Sequence, residues 1–175
     1  DVKKALEESG GDMEKATQWL ERKLGMLAVK REGRATGAGI IEAYIHSNGR
    51  VGVLLELFCE TDFVARNPAF KELAHNLTLH IAAMRPLYCS YDAVPQDVLN
   101  SEKSRIEGEV KAMGKPVDIM AEIIEGKLKS YFGAITFLSQ SFVKDQDKTV
   151  EEVVNEAIGK FGENIKIGRF IRFEI

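Results

Sequence analysis

Apolar positions follow two rhythms along this chain, and the change from one to the other divides it. Val2, Ala5 and Leu6 share one face of a short helix that stops at Ser9-Gly10-Gly11, where glycine supplies left-handed backbone. Asp12 then caps a second helix, with Met13, Ala16, Trp19 and Leu20 spaced by three and four. Two short helices bury little area, so a third helix upstream is expected to complete their core. Asp1 already enters the helical pattern with no Met before it, so the natural N-terminus is expected to lie further upstream. Lys30 to Gly39 is basic, carries Gly33, Gly37 and Gly39, and breaks both neighbouring patterns, as a linker does. Basic linkers are ordinarily just solvated.

From Gly39 the period becomes two. Ile40 to His46 and Val51 to Glu60 predict antiparallel strands around Ser47-Asn48-Gly49-Arg50. Asn48-Gly49 suits a type I′ turn, in which both central residues take positive φ. That turn sets His46 opposite Val51, Tyr44 opposite Val53, Glu42 opposite Leu55 and Ile40 opposite Leu57. The other face carries Ile41, Ala43 and Ile45 against Glu56, Leu54 and Gly52. Both faces are fairly apolar, so helices are expected on one and another element or a second subunit on the other.

Helical spacing returns at Pro68. Phe70, Leu73, Leu77, Ile81 and Met84 form one stripe of a principal core helix, which Pro86 stops. Val98 to Met113 and Pro116 to Phe132 predict a helical hairpin, spanning 95–132 with its flanks, because Gly114 precedes Pro116 as a C-cap glycine precedes an N-terminal proline. Thr149 to Glu152 has the capping-box form, followed by Val150, Val153, Val154, Ala157 and Ile158 at helical spacing. Ile165, Ile167, Ile171, Phe173 and Ile175 alternate with Lys166, Gly168, Arg172 and Glu174 as a final one-sided strand, with Arg169 the exception on the apolar side. The fold class expected is α+β: a small antiparallel sheet, the hairpin plus a C-terminal strand, packed by helices.

Composition narrows the function classes. The 175 residues, 45% hydrophobic, are enough for one well-cored domain and a small appendage. Acidic residues number 27 against 24 basic ones, intermixed to a net charge of -3, so no sequence-wide basic field exists to hold nucleic acid. Cys59 and Cys89 are too few and unpatterned for a disulfide framework or a zinc site, and no metal or cofactor is implied. A reducing cytosol or an organelle matrix fits. No run approaches the roughly 18 apolar residues of a membrane span, and no signal peptide opens the chain.

Between the second strand and the helix opened by Asn67-Pro68 lies Glu60-Thr61-Asp62-Phe63-Val64-Ala65-Arg66, a corner able to hold a side chain at the surface on a rigid base. On the residues alone, Asp62 caps the turn and Phe63 tucks into the local core. The phrase Cys59 to Asn67, C-E-T-D-F-V-A-R-N, strongly resembles the signature of the elongation factor Ts family. So do His80-Ile81-Ala82 with Pro86 and Tyr88, Gly114-Lys115-Pro116, Glu125-Gly126-Lys127 and Gln140-Ser141-Phe142-Val143-Lys144-Asp145. Val2 to Lys23 is similar to the last two helices of that family's ubiquitin-associated-like domain. The organisation implied is a partial helical domain over 1–27, a linker over 28–38 and a core over 39–175.

The resemblance implies a guanine nucleotide exchange factor for elongation factor Tu, without covalent chemistry of its own. Asp62 and Phe63 are then the residues that enter the GTPase beside its nucleotide and disturb its magnesium ion and phosphate loop. Thr61, Val64, Arg66 and Asn67 complete the matching phrase. Thr61 more simply caps the Asp62 turn and Asn67 the next helix, while Arg66 suits either role. His80 lies in a phrase resembling a partner-facing region, although a His on an apolar helix is more often structural. Only one copy of the strand-helix core is present, and in such short members a homodimer is implied. A bacterial cytoplasm is the default location. Two rivals remain: a Cys59 thiol nucleophile, with Cys59 otherwise a small buried hydrophobe, and a plain adaptor binding through the N-terminal helices.

Overall fold

The computed structural model describes residues 2–114 and 116–175. Asp1 and Lys115, both named in the motifs above, lie outside the described residues. The N-terminal helices are α1 (Val2–Glu8) and α2 (Met13–Arg31), separated by Gly10 and Gly11 at φ of 63° and 83°. Asp12 caps α2 by accepting from the backbone N–H groups of Glu14 and Lys15. The second helix runs through Arg31, past the expected end near residue 27. It continues because it has something to pack on: Ala28 is buried in the main core, and Arg31 Nη1 donates to the Ile158 carbonyl at 3.0 Å.

The sheet is built from β1 (Ala38–Ile45), β2 (Val51–Cys59) and β5 (Ile165–Glu174), antiparallel in the order β1-β2-β5. The first pair has the register expected of it: Tyr44 faces Val53, Glu42 faces Leu55 and Ile40 faces Leu57. The turn is not the one expected. Gly49 alone takes positive φ, at 68°, while Gly49 N–H donates to the His46 carbonyl at 2.8 Å. Asn48 stays at negative φ and spends its side chain on the Arg50 N–H at 2.9 Å, a local bond that replaces the type I′ geometry without shifting the register.

The final strand also departs from its one-sided pattern. Leu55 pairs with Phe170 but Leu57 pairs with Ile167, so Gly168 and Arg169 together oppose Glu56. One extra residue in a strand reverses every later side chain. Ile165 and Ile167 therefore face the core, whereas Ile171 and Phe173 face outward and Phe170 and Arg172 face inward. Arg169 breaks the alternation because it is the bulge.

Helix α4 (Pro68–Met84) packs under β1 and β2, burying Phe70, Leu77 and Ile81 against Val53, Leu55 and Leu57. Helix α7 (Val150–Phe161) closes the same core through Val150, Val154 and Ile158. Its capping box forms as the sequence predicts, with Glu152 N–H on Thr149 Oγ1 and Thr149 N–H on Glu152 Oε2. Helix α2 lies against α7 at Gly159, where an added Cβ would stand 2.1 Å from Leu24 Cδ2. Between these elements α5 (Gln96–Ala112) and α6 (Val117–Ile135) form the expected helical hairpin, and β3 (Ser141–Phe142) with β4 (Asp145–Thr149) forms a small ribbon that the sequence did not announce. Among the described residues no helix is long and apolar enough to cross a membrane.

One face of the sheet is thus covered by helices. The other presents Ile41, 70% exposed, with Ile45, Leu54, Phe58, Ile171 and Phe173. By register Ala43, Leu54 and Ile171 form one row and Ile45, Gly52 and Phe173 the next. That side, where the sequence left open either another covering element or a second subunit, is apolar at these positions and carries the Glu56–Arg169 pair beside Ile41.

Candidate functional site: an exposed aromatic corner

Strand β2 ends at Cys59, and the chain turns at once into a one-turn helix, α3 (Asp62–Ala65), before α4 begins. The turn is anchored from below. Val64 and Ala65 are buried in the main core, and one-turn periodicity then directs Asp62, Phe63 and Arg66 to the outside. Phe63 is 83% exposed, so the placement in the local core allowed by the residues alone does not hold. An aromatic ring costs free energy when left in water, and at this exposure Phe63 adds little to the packing of the described residues. Asp62 is exposed too, and among the described residues its carboxylate makes no hydrogen bond, so it is not the cap of its own turn.

Thr61 occupies the cap position of α3 but makes no capping bond. Its hydroxyl donates instead to Glu163 Oε1 at 2.6 Å. The second oxygen of Glu163 accepts the backbone N–H groups of Glu60 and Thr61, each at 3.1 Å. In return Glu60 Oε1 accepts the Asn164 N–H at 2.6 Å and lies 3.5 Å from Arg34 Nη1. Asn164, almost wholly buried, donates its side-chain N–H groups to the Glu32 and Arg34 carbonyls. The base of the corner is therefore tied to the segment between α7 and β5 and to the end of α2. Sequence reasoning passed over Glu163 and Asn164, which lie about a hundred positions away; the one local signal was Gly162, the left-handed cap of α7 at φ 75°, which turns the chain toward the corner.

Asn67 caps α4 as expected, accepting the Ala69 N–H at 2.9 Å, with Pro68 in the first helical position. Arg66 is exposed beside Phe63. His80 does not join this group. It sits 13 residues further along α4, about 20 Å at the helical rise, and is fully buried. Its Nδ1 accepts the Val143 N–H at 3.1 Å, so Nε2 carries the proton and donates to Gln140 Oε1 at 2.9 Å. The ring lies between Phe137 and Phe142, and burial pushes its pKa below the ordinary imidazole value.

Cys59 is buried, with its thiol donating to the Thr61 carbonyl at 3.3 Å. Burial, reinforced by the carboxylates of Glu163 and Asp62, pushes its pKa up and keeps it protonated, the reverse of what a thiol nucleophile needs. A concavity of about 940 Å³ is lined by Tyr91, Lys103, Ile124, Leu128 and Phe132 and includes none of the corner residues. The site is thus a projection, with the form of a contact rather than of a pocket for a small substrate.

The family model described as "Elongation factor TS" matches residues 3–175. This chain belongs to the elongation factor Ts family. Its relatives include elongation factor Ts of Thermotoga petrophila, 51% identical over 175 residues, covering all of this chain and 87% of that protein. Elongation factor Ts of Thermotoga maritima is 50% identical with the same coverage, and that of Moorella thermoacetica is 45% identical over the whole chain and 86% of its own length. Family membership places the chain among elongation factors of protein synthesis, and the match runs through the sheet, the corner and the helical hairpin alike.

Proposed function

We propose that this chain is a guanine nucleotide exchange factor for elongation factor Tu, and that Asp62 and Phe63 are the groups that enter the GTPase. The exposed Phe63 ring on a doubly anchored turn is the observation that carries this reading. A GTPase holds its nucleotide through Mg²⁺ and a cradle of backbone N–H groups, and Mg²⁺ tolerates little departure from octahedral geometry. Burying one Phe side chain gains about 1.5–3 kcal/mol, enough to offset displacement of a partner's own side chains. Asp62 adds a negative charge beside the ring, suited to compete for the donors that hold phosphate. Thr61 and Asn67 shape the corner, Val64 anchors it, and Arg66 flanks the ring on the exposed side. Release then follows from linkage: whatever free energy the factor takes from nucleotide binding, nucleotide takes from factor binding.

The same reading covers the rest of the molecule. The division into a partial ubiquitin-associated-like unit, a connection and a core is kept, with the boundary expected at residue 27 moved to Arg31, where α2 ends. The uncovered sheet face, with Leu54 and Ile171 at its centre, is where a second copy of the chain packs to form a homodimer. The work is done in a bacterial cytoplasm, with neither nucleic acid nor membrane in direct contact. The deciding experiment is stopped-flow release of fluorescent GDP from elongation factor Tu with this protein and with its Phe63→Ala variant. Strong acceleration by the first and weak acceleration by the second supports the wedge. Equal acceleration by both leaves exchange but removes Phe63 from it, and no acceleration by either removes the function.

A further inference from the structure

We propose that Glu163 is the positioning residue of the exchange corner, a proposal that rests on the wedge reading above. It touches no partner group; it acts by holding the segment from which Phe63 projects. The pairing of Cys59 with Ile165 sets the register, and continued outward it would bring Glu60 opposite Asn164 and Thr61 opposite Glu163. The ladder stops there, leaving the N–H groups of Glu60 and Thr61 without strand partners. The Glu163 carboxylate takes both of them and the Thr61 hydroxyl as well. An ionised carboxylate accepting three donors is a strong, directional clamp, and here all three belong to two consecutive residues immediately before Asp62.

The clamp is itself held. Gly162 reverses the chain at the end of α7, and Asn164 fixes the next residue through its backbone bond to Glu60 and its side-chain bonds to Glu32 and Arg34. The turn below Phe63 is thus fixed on one side by Val64 and Ala65 in the core and on the other by Glu163. A wedge gains from such rigidity because the ordering cost is met before the partner arrives, and small misplacements of a contacting group cost much of its effect.

The test measures the maximal rate of fluorescent GDP release from elongation factor Tu at saturating factor, together with the thermal midpoint, for Glu163→Ala and Glu163→Gln. Each is made alone and in a Phe63→Ala background. Glu163→Gln keeps the volume and one acceptor oxygen and serves where Glu163→Ala is too unstable to assay. The expected result is a loss of about tenfold in the maximal rate for Glu163→Ala, a smaller loss for Glu163→Gln, and less than twofold further loss from either change once Phe63 is gone. Equal losses in the two backgrounds would overturn the proposal, because a merely structural role acts whether or not the ring is present. Unchanged release by both Glu163 variants, with Phe63→Ala slow, would also overturn it and leave the wedge standing. Unchanged release by Phe63→Ala would instead overturn the wedge, and the positioning role with it.

Discussion

Glu56 accepts three hydrogen bonds from Arg169: one from its backbone N–H at 3.0 Å, one from Nε at 3.1 Å and one from Nη2 at 2.5 Å. The pair spans the bulge in β5 on the uncovered face of the sheet, and it is what an extra residue in that strand makes possible. The Arg169 side chain and backbone hold the Glu56 carboxyl down to about 2, from an ordinary value of 4.5. A carboxylate with a lowered folded pKa adds stability above its unfolded value and loses it as pH falls through the folded one. The Glu56 contribution is therefore complete above about pH 5 and gone near pH 2. Thermal midpoints across this range should fall more steeply for the intact chain than for Glu56→Gln. Parallel curves would show that the pair does not differ between folded and unfolded states. Glu102, Glu109 and Glu174 are also lowered by arginine or lysine neighbours, so it is the difference between the two proteins that isolates Glu56.

Much of this arrangement was legible in the chain, but not the bulge. The period-two runs on either side of Asn48-Gly49 were enough to set the register of β1 on β2, because a slip of one would have turned Leu55 and Leu57 outward. The turn type was not legible, since Asn48 had a local acceptor role available that competed with positive φ. In β5 the anomalous Arg169 was visible as an exception, yet only pairing with Glu56 explains it. The corner divided in the same way. Asn67 and Pro68 announce a helix start by local chemistry, whereas Thr61 gives its hydroxyl to Glu163, a partner about a hundred residues distant that no local pattern could indicate. The extension of α2 to Arg31 depends likewise on α7.

Two phenylalanines seven positions apart should separate function from stability. Phe63 is exposed and Phe70 is fully buried, edge-on to Phe161 with ring centroids 5.9 Å apart. Phe63→Ala should leave the unfolding free energy within about 0.5 kcal/mol while abolishing most of the acceleration of GDP release. Phe70→Ala should cost about 3–5 kcal/mol in denaturant unfolding, and its exchange activity should fall only as far as its folded fraction falls. A large stability loss for Phe63→Ala would mean that the ring packs in solution.

The uncovered sheet face predicts an association that charge can break. Ile171 lies opposite Leu54 at the middle of the face, and Phe173, 62% exposed, follows at its edge. Ile171→Glu replaces an outward apolar side chain and should scarcely change monomer stability. Buried in a packed interface, the same charge would be unpaired and costly. Sedimentation velocity at micromolar concentration should show a dimer for the intact chain and a monomer for the variant. A monomer in both cases would leave the face without the partner proposed for it.

His80 tests whether a residue within a family-like phrase must touch the partner. Its ring is enclosed by Phe137 and Phe142, and both nitrogens are engaged, with Gln140 in turn donating to the Met84 and Ala134 carbonyls. His80→Ala leaves the Val143 N–H and the Gln140 Oε1 without a partner and opens a cavity, for a loss of about 2–5 kcal/mol. The pH dependence has a defined sign. Burial lowers the folded pKa below 6.5, so below that value the unfolded chain binds the extra proton first, and stability drops as pH falls through 6.5 toward the folded value. That descent should be absent from His80→Gln. At matched folded fraction, the same variant should accelerate GDP release as well as the intact chain does. A specific loss of exchange with unfolding unchanged would place His80 at the partner and require α4 to open on binding, which would make the rigid lower half of the fold a moving part of the mechanism.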